Sequence, residues 1–143
     1  MAIKHLAKAQ WKQAINSNSH ARAAKHLRQI LRHRQAKSGR KYYKAAKTRK
    51  AASMLAQLHT GHCPLNAYLH RFKKALSPYC QCQCQRETVQ HYILECKQYR
   101  DERKWLEQKA GHHNMKLRVI LGNPKFINHV AKYVEMTKRM DRK

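Results

Sequence analysis

The sequence predicts a mainly α protein: a small helical domain behind a basic helical N-terminal arm, with one cysteine-bearing loop interrupting the helices. Three observations predict it. Apolar residues recur at helical spacing, and Gly, Pro and Asn punctuate the stretches that carry them. The large apolar residues gather towards the rear. Met54 to Met140 holds 23 residues of the types Ile, Leu, Val, Met, Phe and Trp, whereas residues 1–53 hold seven after Met1. The front segment therefore cannot offset its chain entropy with a core of its own. Charge divides the chain in the same sense, since residues 1–86 carry 19 Lys+Arg and no acid. The expected organisation is a basic helical arm at 1–53 and a helical domain at 54–143.

The elements follow in order. Residues 3–15 place Ile3, Leu6 and Ala7 on one face, continued by Ala14 and Ile15. Asn16-Ser17-Asn18-Ser19 breaks that helix and offers a cap for the next. Residues 20–36 form a stripe of Ala24, Leu27, Ile30 and Leu31, ended by Ser38-Gly39. A third helix is predicted at 41–59, stopped by Gly61. Pro64 suits the first turn of a short helix at 64–75, with Leu65, Leu69 and Phe72 as its apolar face. After the irregular stretch from Ser77-Pro78, a longer helix is expected over about 88–109, with Gly111 as its stop. A short helix at 115–121 precedes Asn123-Pro124, a cap and first-turn pair. The last helix, 124–140, is expected to bury Phe126, Ile127, Val130, Val134 and Met136.

The charge points to a partner. The chain of 143 residues has 32 Lys+Arg against 7 Asp+Glu, a formal net charge of +25. Such an excess repels itself unless a polyanion offsets it, and nucleic acid, RNA or DNA, is the usual one. The residues expected to neutralise phosphates are Arg22, Lys25, Arg28, Arg32, Arg34, Lys37, Arg40, Lys41, Lys44, Lys47, Arg49 and Lys50. Arg71, Lys73, Lys74 and Arg86 flank the cysteine loop and extend this set. Tyr42, Tyr43, Tyr79 and Tyr92 are candidates for stacking on bases. Phosphate contacts do not read sequence, so largely non-specific binding is expected. No apolar run is long enough to span a membrane. Neither a membrane nor a small-molecule substrate is expected as partner, and oligomeric state is not legible. The N-terminus lacks the apolar core of a secretory signal. A nuclear or cytoplasmic, reducing location follows, with a mitochondrial presequence as the minor alternative.

In a reducing compartment clustered cysteines favour metal over disulfide. Four of the five cysteines fall within 80–96, C-Q-C-Q-C-Q-R-E-T-V-Q-H-Y-I-L-E-C. Cys80 and Cys82 share a turn, and His91 and Cys96 follow with H-x4-C spacing. Three thiolates and one imidazole make a closed tetrahedral set for one structural Zn²⁺, with no open position for catalysis. Cys84 is an alternative ligand that could replace Cys80 or Cys82. Structural zinc supplies about 10–16 kcal/mol of apparent binding energy to folding, which suits a thin core. The predicted fold thus contains one zinc-knuckle loop, at 80–96.

Several segments carry a resemblance. They are Leu58-His59-Thr60-Gly61-His62, Leu65-Asn66-Ala67-Tyr68-Leu69-His70, Ser77-Pro78-Tyr79-Cys80-Gln81-Cys82 and Glu87-Thr88-x-x-His91-x-x-x-x-Cys96. Together they resemble the C-terminal zinc-knuckle region of fungal LINE-type (non-LTR, Tad-like) retrotransposon polyproteins. There the region lies downstream of reverse transcriptase and RNase H. The similarity covers about residues 11–140, and its specific part is Leu58 to Cys96. It implies Cys80, Cys82, His91 and Cys96 as zinc ligands. Two departures stand out: the family usually has Gly after the second cysteine, where this chain has Gln83, and Cys84 is additional. The chain begins with Met and has no polymerase, which suits a truncated element copy, a gene fragment or a small derived gene.

Enzymatic activity is not expected. Polymerase and RNase H chemistry need clustered carboxylates for divalent metals, and Glu87, Glu95, Asp101, Glu102, Glu107, Glu135 and Asp141 offer no such cluster. Arg103–Glu107 is expected to pair at i,i+4. Cys63, near His59 and His62, lacks an orienting carboxylate and is expected to be a packing residue. The expected function is zinc-dependent nucleic-acid binding. The alternatives are a non-functional retrotransposon remnant and a basic protein–protein adaptor.

Overall fold

The computed structural model describes residues 43–141. The predicted helices 3–15 and 20–36 lie outside the described residues, and so does most of the basic arm. The described residues are mostly helical and contain no strand; Tyr79 and Arg86 form an isolated antiparallel bridge.

Helix α1 spans Arg49–Thr60. Thr48 opens it from extended backbone, its side chain accepting from the Ala51 N–H at 3.1 Å. That satisfies one donor the first turn leaves unpaired. Gly61, at φ 72°, closes it in the left-handed region. The helix runs across the expected 53/54 boundary, with Ala51 buried and Tyr43 and Ala46 packed against the core.

Helix α2 is short, Asn66–Leu69, and tightens into a 3₁₀ turn at His70–Phe72. The face predicted for 64–75 needs correction here. Leu65 is buried, but Phe72 is 54 % exposed, because the turn ends before its ring can reach the core. Phe72 instead packs on Tyr68, ring centroids 5.0 Å apart.

The continuous helix predicted for 88–109 is broken. A π turn at His91–Glu95 gives way to extended backbone at Cys96 and a 3₁₀ turn at Lys97–Tyr99. Helix α3 then runs Arg100–Ala110, with Asp101 and Glu102 at its positive end. The expected Arg103–Glu107 pair does not form: Arg103 Nη1 donates to Cys96 O at 2.7 Å, and Glu107 meets His112.

Helix α4 spans Leu117–Gly122. Asn123 caps the next turn by accepting from Lys125 N–H, with Pro124 in first position, as the sequence predicts. Helix α5 follows at Ile127–Thr137. Its buried residues Ile127, Val130, Ala131, Tyr133 and Val134 cover an arc of about 160° at 100° per residue. So wide a stripe serves several neighbours: α3 lies along α5, and α1 and α4 also pack on it. Met136 falls outside the arc and is 37 % exposed, contrary to expectation.

Polar groups lock this core. Nε2–H of the buried His59 donates to Leu121 O at 2.6 Å, leaving Nδ1 to accept from the Tyr43 hydroxyl at 2.8 Å. Tyr43 is thus a partly buried packing residue. Tyr133 OH donates to Tyr92 O at 2.6 Å, and Tyr92 OH donates to Thr137 Oγ1 at 2.5 Å. Tyr92 is fully buried, which removes it as a base-stacking candidate.

Candidate metal centre

The segment from Pro78 to Glu87 folds back on itself. Glu87 N–H donates to Pro78 O and Cys80 N–H to Gln85 O, both at 2.9 Å. At the tip, Gln83 N–H donates to Cys80 O at 2.9 Å, and Gln83 adopts φ 58°. This is the left-handed conformation that a side chain penalises and glycine does not. The tight turn brings the Cys80 and Cys82 sulfurs to one side of the loop, close to each other.

His91 and Cys96 come from the next segment, and their convergence requires the helix break. Five residues of ideal α-helix turn through about 500°, which would leave the two side chains about 140° apart. The π turn and the extended Cys96, at φ −60° and ψ 124°, remove that divergence. Thr88 Oγ1 accepts from His91 N–H at 3.2 Å and starts the turn. Arg103 holds the Cys96 carbonyl from α3.

Ligand atoms of Cys80, Cys82, His91 and Cys96 all lie within 4.8 Å of one another and could hold a metal ion. The Cys80 and Cys96 sulfurs are 3.5 Å apart, and Cys82 Sγ lies 3.2 Å from His91 Nε2. Cys80, His91 and Cys96 are buried and Cys82 is half-buried. Cys84, the alternative ligand, stands outside the group: it is exposed, and its thiol donates to Cys82 O at 3.3 Å. Nδ1 of His91, buried and without a hydrogen bond, faces Glu95 Oε2 at 3.8 Å. Gln90 Nε2 in turn donates to Glu95 Oε1 at 2.8 Å. A carboxylate behind the distal nitrogen is the usual orienting partner of a metal-ligating histidine.

The thiols have contrasting electrostatics. The Cys84 backbone N–H, aimed at the Cys82 sulfur, pulls that thiol down to about 6 against the cost of burial. Burial pushes the Cys80 thiol up to about 12, opposed by the Cys82 N–H. Burial likewise raises Cys96, opposed by the Gln98 N–H. Each sulfur thus meets an N–H two residues downstream, which stabilises negative charge there. A cation at the centre would draw all three to the thiolate form.

A clasp that sequence reasoning missed supports the hairpin. Glu87 is 1 % exposed and accepts from Arg139 through both oxygens, at 2.7 and 2.5 Å. It also accepts from the Asn66 N–H at 2.6 Å. Asn66 adds donation from Nδ2 to Tyr79 O at 2.8 Å and accepts from Arg139 at 3.2 Å. The 52-residue separation of Glu87 and Arg139 leaves no local signal for this pairing. Glu95 behind His91 was discoverable, since i,i+4 spacing puts the two on one face.

Of the residues expected to contact phosphates, Arg22, Lys25, Arg28, Arg32, Arg34, Lys37, Arg40 and Lys41 lie outside the described residues. The other eight, Lys44, Lys47, Arg49, Lys50, Arg71, Lys73, Lys74 and Arg86, are exposed. Lys50 pairs with Asp141 at 3.2 Å in an exposed bridge. Cys63 is 2 % exposed, and burial pushes its thiol up to about 12, the reverse of what a nucleophile needs. No helix among the described residues is long and apolar enough to cross a membrane. Comparison with protein-family models, curated proteins and solved structures finds no match for this chain.

Proposed function

We propose that this chain is a nucleic-acid-binding module whose fold is completed by one structural Zn²⁺ on Cys80, Cys82, His91 and Cys96. The convergence of these four ligand atoms carries the reading. Zinc at about 2.3 Å from sulfur and about 2.0 Å from nitrogen gives tetrahedral edges of about 3.8 and 3.5 Å. The 3.5 Å between the Cys80 and Cys96 sulfurs and the 3.2 Å from Cys82 Sγ to His91 Nε2 lie close to those edges, and the remaining ligand-atom pairs lie within 4.8 Å. Sulfur and imidazole donors favour zinc over hard cations. Four protein ligands fill the tetrahedron, which favours a structural role over a catalytic one.

The net charge of +25 supports a polyanionic partner. The resemblance to the region downstream of RNase H in LINE-type retrotransposon polyproteins supports RNA or DNA as that partner. Binding through phosphates is largely non-specific and steeply salt-dependent.

The test is zinc content per purified chain, with affinity for an oligonucleotide measured as salt is raised, before and after chelation. The expected result is about one zinc per chain, loss of helix on chelation, and log affinity falling linearly against log salt. A zinc-free chain that ignores oligonucleotides at physiological salt would refute the proposal. A zinc-loaded chain that binds proteins but not oligonucleotides would make it an adaptor.

A further inference from the structure

We propose that the ring ladder His62–Tyr68–Phe72, exposed at both ends and accompanied by Arg71, Lys73 and Lys74, is a stacking site for unpaired nucleobases. Single-stranded RNA or DNA would then be the substrate class. This inference rests on the nucleic-acid reading above and deepens it.

The rings form a continuous series. The His62 and Tyr68 centroids are 5.2 Å apart, and those of Tyr68 and Phe72 are 5.0 Å apart. Arg71 sets its guanidinium 5.9 Å from the centroids of both Tyr68 and Phe72. Such a cation–π arrangement holds the guanidinium over the two rings and places a fixed positive charge beside the ladder. The ladder ends are open: His62 is exposed, and Phe72 is 54 % exposed although an apolar core lies within the same domain.

The backbone presents this edge in a defined geometry. Lys73 adopts φ 56° after the 3₁₀ turn, its N–H donating to His70 O at 3.1 Å. Lys74 N–H donates to Leu69 O at 3.0 Å. This pair of bonds is a Schellman closure, which holds both lysines directly after Phe72. At the other end, the Asn66 N–H is held by the buried Glu87 carboxylate.

The occupant follows from two chemistries side by side. Aromatic rings with cationic side chains beside them match a strand whose bases are free to stack while its phosphates are neutralised. A duplex keeps its base faces inside the stack and offers this surface only phosphates. No acid lies within the 62–86 segment, and Asp141, which lines the groove beside His62 and Tyr68, is paired with Lys50 at 3.2 Å.

The experiment compares a short mixed-sequence oligonucleotide, as a single strand and as a duplex of equal length, on the zinc-loaded full chain. Phe72→Ala should weaken single-strand binding roughly five- to a hundredfold, the range for losing one base–aromatic stack. It should leave duplex binding, zinc content and helix content unchanged. Phe72→Trp should restore single-strand binding, with its fluorescence quenched on binding. Arg71→Gln with Lys73→Gln and Lys74→Gln should weaken both forms and flatten the salt dependence. Equal effects of Phe72→Ala on single strand and duplex, or no effect on either, would overturn the stacking site while leaving the module reading intact. Failure of the parent chain to bind either form would overturn both. Leu76 is a second fully exposed apolar side chain just beyond the lysines; loss of adsorption to phosphatidylserine vesicles in Phe72→Ala and Leu76→Ala, with oligonucleotide binding untouched, would overturn the site in favour of a lipid surface.

Discussion

Replacing Glu87 by Gln should cost more stability than its modest change in shape suggests. The carboxylate is buried and accepts three hydrogen bonds, two from Arg139 and one from the Asn66 N–H. Glu87→Gln removes the charge that offsets the Arg139 guanidinium, whose side chain is 23 % exposed. It also turns one oxygen into an NH₂ facing donors. Losing one partner of a buried pair costs about 3–5 kcal/mol, and the residual exposure of Arg139 favours the lower end. About 3 kcal/mol is a large part of the 5–15 kcal/mol typical of a whole domain. For a domain of this size it corresponds to roughly 12–24 °C in Tm. The assay is thermal unfolding followed by circular dichroism, with free zinc buffered at one value because bound metal shifts the midpoint. Arg139→Met should cost a similar amount, and the double variant should recover part of the loss, giving positive coupling in a double-mutant cycle. A loss below about 1 kcal/mol, in the range of exposed pairs, would refute the clasp as a source of stability.

Other outcomes follow from the same geometry. Gln83→Gly should stabilise the metal-bound protein by about 1 kcal/mol, because it removes the side-chain penalty at φ 58°; an unchanged urea midpoint would argue against that turn. Cys84→Ser should leave zinc content and affinity unchanged, whereas Cys82→Ser should lower affinity sharply in a competition titration with a chromogenic chelator. Equal effects of the two would reinstate Cys84 as a ligand. Tyr133→Phe should cost about 1–3 kcal/mol in urea unfolding, since it strips the donor from a buried Tyr92 carbonyl. An unchanged midpoint would mean that water replaces the hydroxyl.

The sequence by itself determined the helical class, because apolar spacing and local stop signals act over a few residues. Gly61 closing α1, and Asn123 with Pro124 opening the way to α5, needed no distant partner. It also singled out Cys80, Cys82, His91 and Cys96, since two ligands on a turn and two on the following segment make a recognisable spacing. It could not show that Gln83 takes a left-handed φ of 58°, since no glycine marks that turn. Periodicity could not show the helix break at Cys96. A 3.6-residue pattern is blind to the demand that His91 and Cys96 converge, and to the hold of Arg103 on the Cys96 carbonyl. It overestimated burial at Phe72 and Met136, because apolar character does not reveal which side of a helix has a neighbour. Only the tertiary structure decided that Glu87 meets Arg139 and that His59 spends both ring nitrogens on Tyr43 and Leu121. Those partners lie far apart in the chain, and the desolvation that makes such pairs consequential exists only once the chain has packed around them.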